Sequence, residues 1–89
     1  KTLADELGPS GVRVNCLLPG RIATDRVAEL DRSSGDAAAA RAAAEATIPL
    51  GRYGEPEEFG KAAAFVLSPA ASFINGVMLP VDGGLLRVL

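Results

Sequence analysis

Residues 11–20 read Gly11-Val12-Arg13-Val14-Asn15-Cys16-Leu17-Leu18-Pro19-Gly20. Val12, Val14 and Cys16 alternate with Arg13 and Asn15, and Leu17-Leu18 ends the run without a polar residue. Alternation passing into a continuous apolar run suits an internal strand of an α/β sheet. The pattern therefore predicts a strand over 12–18, stopped by Pro19-Gly20. Upstream, Leu3, Ala4 and Leu7 share one face at helical spacing, and Gly8-Pro9 is a glycine-then-proline stop. Residues 1–7 thus read as the end of a helix. Lys1 is not a methionine, so the chain is expected to begin inside a longer protein.

Downstream lies a long connection over 21–50. Thr24 or Asp25 caps a helix through Val27-Ala28-Glu29-Leu30, and Ser33-Ser34-Gly35-Asp36 breaks it. Residues 37–46 are nearly all alanine, which favours helix by propensity but offers little side chain to grip a core. A mobile lid is expected there. Glu55-Pro56-Glu57-Glu58 opens a further helix, with proline at the first turn and acids at the positive end of the dipole. Phe59, Ala62, Ala63, Val66 and Leu67 give it one apolar stripe. Ser68-Pro69 ends it, and Asn75-Gly76 turns into a second strand over 77–81. Pro80 cannot donate to a ladder, so this strand belongs at a sheet edge or strand end. The order helix, strand, helices, strand is a βαβ crossover, which implies two parallel strands and a right-handed connection.

Composition narrows the class. Eighty-nine residues allow one domain with a small core. Net charge is −2 and the basic residues are scattered, which argues against a nucleic-acid partner. The apolar runs fall short of the roughly 20 residues a membrane helix needs, and no secretory signal is visible. One cysteine cannot form an internal disulfide, which leads to a cytoplasmic expectation. With no histidine, His-based triads and His-ligated metals are excluded for these residues.

Chemistry in open parallel sheets sits beyond the carboxyl ends of the strands. Pro19 and Gly20 occupy such an end, where a side-chain-free position lets backbone approach a flat ligand. Thr24 follows with a hydroxyl at a helix start, facing a phosphate or amide in the functional reading; a plain turn is the simpler one.

The motifs Leu3-Ala4-Asp5-Glu6-Leu7-Gly8, Gly11-Val12-Arg13-Val14-Asn15 and Pro19-Gly20-Arg21-Ile22-Ala23-Thr24 resemble the second half of a short-chain dehydrogenase/reductase. So do Pro49-Leu50-Gly51-Arg52, Gly54-Glu55-Pro56-Glu57-Glu58, Phe65-Val66-Leu67-Ser68, Gly76 and Val81-Asp82-Gly83-Gly84, in the same order. The resemblance implies that 1–89 is the C-terminal part of one Rossmann-type, doubly wound parallel sheet, contributing its last two strands. It implies NAD or NADP as cofactor, with Pro19 and Gly20 as the wall beside the nicotinamide. The Ile22 backbone would meet the carboxamide, and the Thr24 hydroxyl the carboxamide or pyrophosphate. Residues from about 25 to 50 would form the substrate lid. A homo-oligomer, tetramer or dimer, is implied, with the last strand and apolar tail at a subunit interface. The branch resembled most is that of 3-oxoacyl-[acyl-carrier-protein] reductases, which implies a small carbonyl or alcohol substrate, including one carried on acyl-carrier protein.

The family's acid/base tyrosine, with a lysine four residues on, has no match here: the only tyrosine, Tyr53, has Glu57 at that spacing. No Gly-x-x-x-Gly-x-Gly loop occurs, and no position is assigned a catalytic role. Cys16 reads as a buried small apolar residue, Asn15 as a structural hydrogen-bonder to backbone, Arg52 as a solvated turn residue, Tyr53 as packing near the lid hinge, and Asp82 as the clamp of the Gly83-Gly84 turn. Two functions remain open from sequence: part of a nicotinamide-dependent oxidoreductase, or a non-catalytic remnant or assembly module.

Overall fold

The structure is a computed structural model that describes residues 1–87. Helix α1 (Thr2–Leu7) leads through a 3-10 turn (Gly8–Ser10) to strand β1 (Cys16–Pro19). Helices α2 (Asp25–Arg32) and α3 (Ala37–Glu45) follow, then α4 (Pro56–Leu67), a second 3-10 turn (Pro69–Ala71) and strand β2 (Met78–Val81). The two strands run parallel, with Cys16 opposite Met78 and Pro19 opposite Val81. This is the expected crossover, and the chain is a partial α/β unit.

The first strand is shorter than its pattern implies, beginning at Cys16 rather than Val12. Over the preceding residues one backbone bond remains, from Gly76 N–H to the Val14 carbonyl at 2.9 Å, and side chains take over the rest of the pairing. Asn75 Oδ1 accepts from Val14 N–H at 2.9 Å, while Asn15 Oδ1 accepts from Val77 N–H at 3.0 Å and its Nδ2 donates to the Ile74 backbone carbonyl at 3.0 Å. Asn15 is thus a structural hydrogen-bonder, as its position suggests, but to partners some sixty residues away. The Arg13 guanidinium reaches the Val66 and Ile74 carbonyls at 2.9 and 3.1 Å, tying the approach to β1 onto the carboxyl end of α4.

Local rules account for the helix boundaries. Thr24 caps α2 by accepting from Val27 N–H, and Asp36 caps α3 by accepting from Ala39 N–H. Pro56 occupies the first turn of α4. The residue that turns the chain after α1 is Gly11, at φ 80°, rather than Gly8, which stays right-handed. Val77, just before β2, and Val81, at its end, offer their carbonyls to Cys16 and Gly20. The intervening Pro80 therefore turns its missing donor to the outer edge.

The buried apolar residues are Ala4, Ile22, Ile48, Tyr53, Val66 and Ala71. No large side chain is fully buried among the described residues. Leu67, Phe73, Met78 and Leu50 stand open, and the Cys16 side chain is exposed rather than buried. The Cα radius of gyration is 16.0 Å, against about 12 Å for a compact domain of this length. No described helix is long and apolar enough to cross a membrane. The apolar tail expected at a subunit interface ends with 88–89, outside the described residues.

Candidate functional site

At the carboxyl end of β1 the backbone turns outward, and α4 starts beside it. Between them lies a groove of about 330 Å³, lined by Pro19, Gly20, Ile22 and Thr24 with Pro56 and Phe59 opposite. All four positions singled out from sequence as cofactor-binding face this one space.

Each is held there for a local reason. Gly20 donates to the Val81 carbonyl at 3.0 Å. A Cβ at Gly20 would lie 2.6 Å from the Asp82 Cβ and 2.8 Å from its Cα. Asp82 behind the turn therefore requires glycine here, whatever occupies the groove in front. Asp82 is fixed in turn: its carboxylate accepts from Gly84 N–H at 2.9 Å and Leu86 N–H at 3.0 Å. That is the clamp role its sequence position implied.

Ile22 is buried, at 8% exposure. Its flanking residues pair with Gly54: Ala23 N–H donates to the Gly54 carbonyl at 2.8 Å, and Gly54 N–H to the Arg21 carbonyl at 2.9 Å. The Ile22 carbonyl accepts from Thr24 N–H at 2.7 Å. The Ile22 N–H has no acceptor among the described residues. A donor without a protein partner in a residue that lines a groove fits an acceptor such as a carboxamide oxygen. Thr24 Oγ1 accepts from Val27 N–H at 3.3 Å, and its own proton is donated to none of the described residues. The donor set thus fits a nicotinamide amide.

Beside this groove, and sharing Thr24 and Val27 with it, a second cavity of about 460 Å³ opens between α2 and α3. Asp31, Tyr53, Arg32 and Arg41 are among its lining residues. Tyr53, 3% exposed, donates its phenolic proton to Asp31 Oδ2 at 2.8 Å. Arg41 of α3 lies 4.5 Å above the Tyr53 ring. Burial, reinforced by the hydrogen bond and negative charge of Asp31, raises the Tyr53 pKa above its ordinary value of 10.0. A phenol held protonated this way is the reverse of an acid/base tuned toward neutral pH. Tyr53 packs, as its sequence position suggested.

Arg52 stays half exposed, as a solvated turn residue would, and it also meets an anionic group. It holds Glu58 with two bonds of 2.8 and 2.9 Å and also donates to the Tyr53 carbonyl at 3.1 Å. Glu58 accepts as well from the Glu55 N–H at the start of α4. The bond from Arg52, then that from the Glu55 backbone, lowers the Glu58 pKa to about 2.

Asp31 is the site residue that sequence reasoning missed. It stands four residues after Val27, on the stripe of α2 that turns inward, a placement that the polar sequence of this helix does not mark.

A sequence profile described as enoyl-(acyl carrier protein) reductase matches residues 1–86. Cyclohexanol dehydrogenase of Rhodococcus sp. strain TK6 is 43% identical over 83 residues, which cover 93% of this chain and 29% of that protein. The 3-oxoacyl-[acyl-carrier-protein] reductase FabG of Chlamydia trachomatis is 41% identical over 85 residues, covering 96% of this chain and 32% of that one. Among solved structures, YwfH, an NADPH-dependent reductase involved in bacilysin biosynthesis, superposes with a TM-score of 0.92 at 35% identity. That match covers 99% of this chain and 35% of YwfH. The chain spans about a third of the length of the curated relatives it matches. By profile, sequence and fold alike, it belongs to the short-chain dehydrogenase/reductase family.

Proposed function

We propose that the chain forms the nicotinamide-side wall of an oxidoreductase that interconverts a carbonyl and an alcohol with NAD or NADP. The observation that carries this reading is the groove: Pro19, Gly20, Ile22 and Thr24 converge at the carboxyl end of β1, with an orphan Ile22 N–H among them. The NADPH dependence of YwfH supports the cofactor class.

The bound cofactor supplies or accepts the hydride. The rigid Pro19-Gly20 turn gives a flat ring a fixed wall. The Ile22 N–H donates to the carboxamide oxygen, which fixes the ring's orientation and so the face it presents. The Thr24 hydroxyl donates to the carboxamide or to the pyrophosphate, beside the positive end of α2. Residues from about 25 to 50, which include α2 and α3, act as the substrate lid and exclude water. The substrate is a small carbonyl or alcohol; likeness to the chlamydial reductase supports one carried on acyl-carrier protein. The protein works as a homo-oligomer, a dimer or tetramer. No residue of this chain is assigned the acid/base step.

The test is cofactor-dependent turnover by the whole protein that carries this chain, followed as loss of reduced-nicotinamide absorbance with a panel of ketones. Turnover that weakens in Thr24→Ala through a higher cofactor KM supports the reading. Absence of any turnover overturns it in favour of a non-catalytic assembly module.

A further inference from the structure

We propose that the cavity between α2 and α3 receives the far end of the substrate, and that a hydroxyl group there donates a hydrogen bond to Asp31 Oδ1. This rests on the oxidoreductase reading above.

Asp31 is 5% exposed. Its Oδ2 is taken by the Tyr53 hydroxyl. Its Oδ1 accepts from none of the described residues, and neither Arg32 nor Arg41 forms an ion pair with it among them. Every sealed side-chain polar atom among the described residues has a partner. Oδ1 is therefore not sealed, and Asp31 is among the residues that line the cavity. A carboxylate has about four acceptor positions, and no donor among the described residues fills those of Oδ1. A ligand donor at Oδ1 would fill one.

The rest of the cavity selects the kind of donor. Its volume of about 460 Å³ falls in the range of small-molecule sites. Ala28, Ala37 and Ala38 line it without polar side chains, which suits a small apolar body. The charged lining residues are two arginines, Arg32 and Arg41, and two aspartates, Asp25 and Asp31. The balance favours neither an ammonium nor a carboxylate, and a neutral hydroxyl fits. Thr24 and Val27 line both this cavity and the cofactor groove, so the two spaces adjoin at the start of α2. A molecule with its reacting carbonyl in the groove and a hydroxyl a few bonds away spans both.

The experiment uses the whole protein that carries this chain and pairs of ketones matched in size, such as 4-hydroxycyclohexanone and 4-methylcyclohexanone. For native protein kcat/KM should favour the hydroxylated member about tenfold or more, carried mainly in KM. Asp31→Ala should abolish that preference. Tyr53→Phe removes the other bond to Asp31 and leaves Oδ1 in place, so the preference should survive. If native protein reduces both members equally, or if the two variants lose the preference alike, Asp31 is only a packing partner of Tyr53 and the inference fails. If no pair in the panel is reduced at all and neither NADH nor NADPH binds, the oxidoreductase reading itself falls, and this inference with it.

Discussion

The Tyr53 hydroxyl donates to a buried Asp31 carboxylate 22 positions earlier, while Arg41 of the next helix lies over the same ring. One side chain thereby joins α2, α3 and the turn that precedes α4. The energetic cost of breaking this link follows from burial. Tyr53→Phe leaves Asp31 without its donor and should destabilise the fold by about 1–3 kcal/mol, read as a lower denaturant midpoint.

The same pair has a pH signature. The folded-state pKa of Tyr53 is raised, so its contribution to stability is complete below pH 10 and is lost as pH rises through the folded value. Difference absorbance near 295 nm between native protein and Tyr53→Phe isolates this phenol. Its ionisation should come above that of a free tyrosine, and Asp31→Asn, which removes the negative charge, should bring it down. An unshifted native midpoint would show that the phenol is not paired.

At the other end of the pH scale, Arg52 and Glu58 set the acid response. Glu58 has a folded pKa of about 2 against an ordinary 4.5. Its contribution is present above about pH 4.5 and disappears as pH falls toward 2. Glu58→Gln should therefore lower Tm at pH 7 and have a smaller effect at pH 2. Both side chains are about half exposed, so raising salt should shrink the difference at pH 7.

Gly20→Ala should destabilise the protein through Asp82. The added methyl meets the Asp82 backbone and Cβ, which are themselves held by two hydrogen bonds to the following turn. Relief needs movement of main chain, so a cost of about 1–3 kcal/mol or more is expected. The double variant Gly20→Ala with Asp82→Gly should recover part of it, measured by thermal melts.

The 89-residue chain by itself should not melt cooperatively as a monomer. Its accessible surface is 6282 Å², against about 4,900 Å² for a compact protein of its mass. Leu67, Phe73 and Met78 are open to solvent, and one edge of β1 is unpaired among the described residues. Sedimentation showing a monomer together with a single sharp melt would contradict this.

What was legible in the sequence is what local rules govern. Pro19-Gly20 marks the strand end, Thr24 and Pro56 mark helix starts, and the helical stretch between two apolar strands marks a parallel crossover. These depend on residues a few positions apart. The start of β1 was not legible, because Asn75 and Asn15 side chains take over the ladder from opposite ends of the chain. A further reason for Gly20 was hidden for the same cause: Asp82, which a Cβ there would meet, lies 62 positions on. Asp31 hid in the connection because an acid on a short polar helix reads as solvated until Tyr53 is placed beside it.

Whether the Pro19 to Thr24 turn holds a nicotinamide ring can be read by comparing ligands with and without that ring. The whole protein that carries this chain is titrated with NADH or NADPH and with the corresponding ADP-ribose or its 2′-phosphate. The account predicts tighter binding of the nicotinamide-bearing ligand, and a loss of about three- to tenfold in that affinity in Thr24→Ala. Equal affinities for the two ligands, unchanged by the substitution, would contradict it.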